Sequence, residues 1–138
     1  MNPILNTGLL IGALCAVWMF VCGVTGWYKD PTLNRLFFLV IPIEVGGLIW
    51  GLRQTAREGR PYLAQIVAGT MMAVIAGVVI IAASLAFTTM YPDAMDALRA
   101  ADPSATPMSQ ALNGFIGTLV TGILASAAIA IGVRAPRR

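Results

Sequence analysis

The chain has 138 residues, of which 58% are hydrophobic and 11% charged, with no histidine and a mean hydropathy of +0.81. A soluble domain of this size leaves much of its surface in water and cannot hide so much apolar area, so the composition excludes an ordinary water-soluble fold and points to lipid as solvent. The net charge of +3 comes from basic residues at the ends of apolar runs, not from a stripe with interleaved aromatics, which argues against a nucleic-acid surface and for helix flanks at headgroup level.

The first apolar run covers about residues 7–27, enough to cross roughly 30 Å of hydrocarbon at about 1.5 Å per residue. No Lys or Arg precedes it and no small-residue cleavage site ends it, so a retained span is expected and not a cleaved signal peptide. Cys15 and Cys22 fall on one helical face roughly 10 Å apart along the axis, too far for a disulfide. They read as small core thiols, since a metal or redox pair calls for histidine or Cys-x-x-Cys spacing. Lys29 and Asp30 close the run.

Asp30-Pro31 is a helix start, with an acceptor at the N-cap and proline where no backbone N–H is needed. The predicted second span is about 32–52, and Pro42 inside it should kink the helix. Arg53, Arg57, Glu58, Gly59, Arg60 and Pro61 make a short polar connector. The third span, about 62–91, is longer than a perpendicular crossing requires and should tilt or protrude before Tyr91-Pro92 stops it. Over 93–103, Ala94, Met95, Ala97 and Leu98 alternate with Asp93, Asp96 and Arg99 at helical spacing, which predicts a short interfacial helix. Asp102-Pro103 through Pro107 should break it ahead of a fourth span, about 109–133.

The expected architecture is one all-α domain over 1–138: an integral membrane four-helix bundle with short loops and a short extracytoplasmic interfacial helix. In such a chain both termini and the second-to-third connector share a side, and that side carries Arg53, Arg57, Arg60, Arg134, Arg137 and Arg138. Only Lys29, Arg35 and Arg99 face the other, which puts both termini in the cytoplasm of a bacterial cell with the protein in its inner membrane. The connector arginines set topology and meet membrane lipid headgroups, each worth about 1 kcal/mol at an anionic surface.

Glu44 is the one ionisable residue deep in an apolar run, about halfway along the predicted second span. Ionised and unpaired there it would cost several kcal/mol. Arg35 and Arg53 are too distant along the helix to pair with it. Three readings stay open: a neutral structural hydrogen bond, an ion or proton site, and a bond to a partner subunit. Thr118, Thr121 and Ser126 should lie near its depth on the fourth span.

Small residues recur at four-residue spacing: Gly8, Gly12 and Ala16; Gly47 and Gly51; Gly69, Ala73 and Gly77; and Gly114, Thr118, Gly122, Ser126 and Ala130. Such stripes let helices approach closely, within the bundle or against another subunit. Met71, Met72, Met90, Met95 and Met108 read as pliable packing groups and not as copper ligands. Without histidine no nucleophile is activated by imidazole, and no phosphate loop accompanies the arginines, so catalytic, cofactor and metal residues are all expected to be absent.

Leu48-Ile49-Trp50-Gly51-Leu52-Arg53, followed by Arg57, Gly59 and Tyr62 and later by Tyr91-Pro92-Asp93, resembles a family of small bacterial four-span membrane proteins known only as a domain of unknown function. The likeness covers most of the chain and implies a fold and topology but no reaction. The leading expectation is a non-enzymatic, multi-pass accessory or structural component that acts through helix packing, as a homo-oligomer or with other membrane subunits. The alternative is a small transporter or ion or proton pathway that uses Glu44.

Overall fold

The computed structural model describes residues 2–30 and 32–132, with the backbone alone at Asn34 and Phe37. The Asn2 side chain accepts the Ile4 N–H at 3.0 Å and Pro3 takes the first helical position, so α1 (Pro3–Thr25) starts with a satisfied cap. It ends where Gly26, at φ 71°, adopts the left-handed conformation and returns its N–H to the last carbonyls.

A short 3-10 turn, Trp27–Lys29, follows, and Asp30 Oδ1 accepts the Thr32 N–H at 2.8 Å. The reading of Pro31 as the first helical residue lies outside the described residues. Beyond it the helical run expected over 32–52 changes type: Leu33–Leu39 is a 3-10 helix, and α2 (Val40–Arg57) begins only afterwards. Pro42 explains this. It has no N–H for the Phe38 carbonyl, and in a continuous α-helix its ring would collide with that carbonyl. A tighter path upstream and an α-helical restart that places Pro42 in the first turn avoid both costs. The expected mid-helix kink is thus replaced by a change of helix type, and Glu44 sits one turn into α2 instead of halfway along it. The Trp18 indole ties this segment to α1 by donating to the Leu36 carbonyl at 2.9 Å.

Gly59, at φ 74°, turns the chain into α3 (Tyr62–Met90). Pro92 then opens the short helix α4 (Pro92–Ala101), whose apolar side buries Met95. The last helix, α5 (Pro107–Gly132), starts two residues earlier than the sequence suggested because Thr106 and Ser109 cap it reciprocally. The Ser109 N–H donates to Thr106 Oγ1 at 3.0 Å and the Thr106 N–H donates to Ser109 Oγ at 2.9 Å.

Three of these helices are long and apolar enough to cross a membrane: α1 with 23 residues, α3 with 29 and α5 with 26. The 18-residue α2, which carries Glu44, Arg53 and Arg57, is not among them.

Side-chain contacts fix how the helices run. Thr7 meets Gly51 and Ile11 meets Gly47, so α1 and α2 are antiparallel. Gly8 meets Ile75 and Gly12 meets Val79, so α1 and α3 are parallel, whereas Gly69 against Ser126 and Gly77 against Phe115 make α3 and α5 antiparallel. The α2 helix packs on α1, α3 and α5. The start of α1, the 58–61 connector and the end of α5 therefore fall at one end of the assembly, the connector end, and α4 lies at the other. Ile11, Cys15, Met19, Leu48, Met72, Ala76, Ile80 and Phe87 form the core. Towards the α4 end, Phe20, Tyr28, Phe87 and Tyr91 stack with ring centroids 5.0 to 6.1 Å apart.

Around this apolar core, many large hydrophobic side chains are left on the surface and several polar ones are buried. Leu14, Val17 and Val24 of α1, Leu63 and Val78 of α3, and Ile116, Val120 and Leu124 of α5 face outward, while Thr7, Glu44, Thr55, Gln65, Ser84, Thr88 and Ser126 are buried.

Candidate functional site

One turn into α2, the Glu44 side chain turns into the protein and is 4% exposed. It lies level with Gly122 of α5 and Ala73 of α3: a Cβ built on Gly122 would stand 3.2 Å from Glu44 Oε1 and would run into the Ala73 methyl. Both residues are near the midpoints of their helices, so the carboxyl sits close to half height. Among the described residues no lysine or arginine pairs with it, and Oε1 has no hydrogen-bond partner. Thr118 and Ser126 are one turn from Gly122 on either side along the same face. Thr121 shares the depth of its neighbour Gly122, but it is Gly122 that faces the carboxyl.

Three further buried polar atoms lack a partner among the described residues: Thr7 Oγ1, Gln65 Nε2 and Ser126 Oγ. All lie between Glu44 and the connector end. Ser126 is one turn beyond Gly122 and presses against Gly69. Gln65 is one turn beyond Gly69, and its Oε1 accepts the Thr55 hydroxyl at 2.6 Å, bonding α2 to α3 inside the core. The Thr55 hydroxyl also lies 3.1 Å from the Leu52 carbonyl. Thr7 faces Gly51, and Tyr62 donates to the Ala127 carbonyl at 3.2 Å, joining α3 to α5 at the same end.

On the opposite side of Glu44 a cavity of about 400 Å³ opens between α1, α3 and α5 beneath α4. Its walls are largely apolar, from Met19, Phe38, Ile80, Phe87 and Leu98, with Cys15, Tyr28, Ser84, Thr88, Gln110 and Thr118 as the residues that carry polar atoms. Cys15 Sγ is 3.9 Å from the Val40 carbonyl, one turn before Glu44.

The small-residue stripes face other helices of the same chain. Side chains added at Gly8, Gly12, Gly47, Gly51, Gly69, Gly77 or Gly122 would collide with Ile75, Val79, Ile11, Thr7, Ser126, Phe115 or Ala73 respectively. Gly114 is looser, with ordinary van der Waals contact to Ile80, and lines the cavity with Thr118. Arg53, Arg57 and Arg60 are exposed at the connector end, and Arg60 pairs with Glu58 at 3.0 Å. The readings of Arg134, Arg137 and Arg138 lie outside the described residues. Cys15 and Cys22 are both buried and free. Of the methionines, Met19, Met72 and Met95 are buried, whereas Met71, Met90 and Met108 face outward. At the α4 end Lys29 pairs with Asp93 at 3.5 Å.

Thr7, Thr55, Gln65 and Ser84 were not singled out from the sequence. A signal existed for two of them. Gln65 extends the Gly69, Ala73, Gly77 stripe by one turn, and Thr55 extends the Gly47, Gly51 stripe, so a polar residue at the next stripe position was bound to face the interior. No protein family, curated protein or solved structure matches the chain.

Proposed function

We propose that this chain is a multi-pass membrane protein of the bacterial inner membrane and that it provides a pathway for a proton or cation with Glu44 as the site. In this reading α1, α3, α5 and the helical run over 33–57 form a membrane four-helix bundle. Seven residues at about 2.0 Å and eighteen at about 1.5 Å give that run a reach of roughly 41 Å if its two parts are coaxial. The resemblance to the small four-span family belongs to the same proposal.

The observation that carries it is the burial of Glu44 at half height without a countercharge among the described residues. An ionisable group there costs several kcal/mol, and a fold keeps such a cost where the group works. The apolar outward faces of three helices support lipid as the surrounding medium. Arginines at the connector end favour a cytoplasmic location for that end and for both termini. The reading is non-enzymatic. Glu44→Gln in a proteoliposome flux assay tests it: flux through the wild type and a strong loss in the variant are expected, and equal flux retires the idea.

The accessory or oligomeric reading has one observation of its own. Only 22% of the most apolar stretch of α5 is buried, against 44% for α1 and for α3, which leaves α5 a broad face for lipid or a second subunit. The small-residue stripes lend it less, since most of their positions are taken up by contacts within the chain.

A further inference from the structure

We infer that the species handled at Glu44 is a proton, which reaches the carboxyl through the cavity beneath α4 and leaves towards the connector end along Ser126 and the Gln65–Thr55 pair. This rests on the reading of Glu44 as a pathway site and adds to it the ion and the two half-paths.

The cavity stops one turn short of Glu44 on two separate helices. Cys15 at its floor touches the Val40 carbonyl, and Val40 is four residues before Glu44. Thr118, also on the lining, is four residues before Gly122, which faces the carboxyl. Ser84, only 8% exposed, lines the same cavity. A largely apolar cavity with such a group in its wall is able to hold water beside it.

Below Glu44 the polar groups recur once per helical turn, at axial steps of about 6 Å, the span of one bridging water. Ser126 Oγ is the first step and Gln65 with Thr55 the second. A hard cation needs about six oxygens converging in one shell. Oxygens strung out one per turn provide no such shell, but hydroxyls that both donate and accept can relay a proton. Cys15 of α1, Ala73 of α3 and Gly122 of α5 lie near Glu44, and among the described residues no lysine or arginine pairs with the carboxylate.

Each transfer balances. A hydronium in the cavity gives a proton to a water bridging the remaining turn and is left as water, and that bridging water passes one of its protons to a Glu44 oxygen, forming the O–H bond. The carboxyl then gives that proton to a bridging water, which passes one on to Ser126 Oγ. The Ser126 hydroxyl releases its own proton to the next bridging water, the Thr55 hydroxyl beside Gln65 takes one from that water and releases its own to water at the connector end, and every group returns to its starting state.

The test is proton uptake into proteoliposomes holding a trapped pH dye, driven by a potassium diffusion potential, with Ser126→Ala and Thr118→Val beside Glu44→Gln. Among the described residues no protein group bonds Ser126 Oγ, so its alanine variant removes no protein hydrogen bond. Thr118→Val is nearly isosteric and probes the cavity side even if Ser126→Ala fails to fold. Each should lower proton flux on the order of tenfold or more with an unchanged melting temperature, and replacing sodium by choline should leave the flux unaltered. Flux lost in Glu44→Gln but intact in both other variants would overturn the half-paths and leave the Glu44 reading standing. Sodium-dependent flux would overturn the assignment to protons. Wild-type liposomes no leakier than empty ones would remove the pathway reading itself.

Discussion

Gly122 of α5 leaves open the space into which Glu44 of α2 turns its carboxyl: a side chain there would meet Oε1 at 3.2 Å and the Ala73 methyl closer still. The absent side chain lets α5 close on α3 and brings the carboxyl to the centre of the assembly. Gly122→Leu should therefore destabilise the fold by about 1–3 kcal/mol through overpacking. Thermal unfolding in detergent checks it; an unchanged melting temperature and oligomeric state would remove the packing role assigned to this stripe.

Thr55 and Gln65 share a 2.6 Å hydrogen bond in a part of the core where both are almost fully buried. Thr55→Val leaves Gln65 Oε1 without a donor, at a cost of about 1–3 kcal/mol. Adding Gln65→Leu removes the stranded amide, so the double variant should be less destabilised than the sum of the single ones. A double-mutant cycle on unfolding free energy measures the coupling, and strictly additive effects would contradict the pairing.

Long apolar runs, the polar connector and the short helix over 92–101 were legible in the sequence because hydropathy, proline and helical periodicity are local signals. The start of α2 was not. Asp30 does accept from the backbone ahead, as its position suggested, but the α-helix waits until Val40 because Pro42 acts on the residues before it. Glu44 could be picked out as a lone carboxyl in an apolar run. Its neighbour Gly122 could not, since the register between α2 and α5 is set by packing and not by any local pattern. The Gln65–Thr55 bond and the cavity under α4 likewise depend on three-dimensional juxtaposition.

Asp102 closes the loop between α4 and α5 by accepting the Ser104 hydroxyl at 2.6 Å and the Ser104 N–H at 3.0 Å, and these bonds hold its carboxyl below the ordinary aspartate range. A carboxylate whose folded value is depressed adds stability above its unfolded value, and that contribution is lost as pH falls through the folded value. The loop should accordingly stay fixed at neutral pH and loosen only below about pH 4. In Ser104→Ala the Asp102 titration, followed by NMR, should move back up. An unmoved titration would show that Ser104 is not what holds it down.

All of this requires the outward faces of α1, α3 and α5 to meet hydrocarbon with Glu44 at half depth. Val120, near the middle of α5 and 52% exposed, reports on that directly. A fluorophore on Val120→Cys, with Cys15 and Cys22 replaced, should be quenched strongly by lipids brominated deep in their chains and hardly at all by iodide in the aqueous phase. The opposite pattern, in protein that stays folded, would contradict the account.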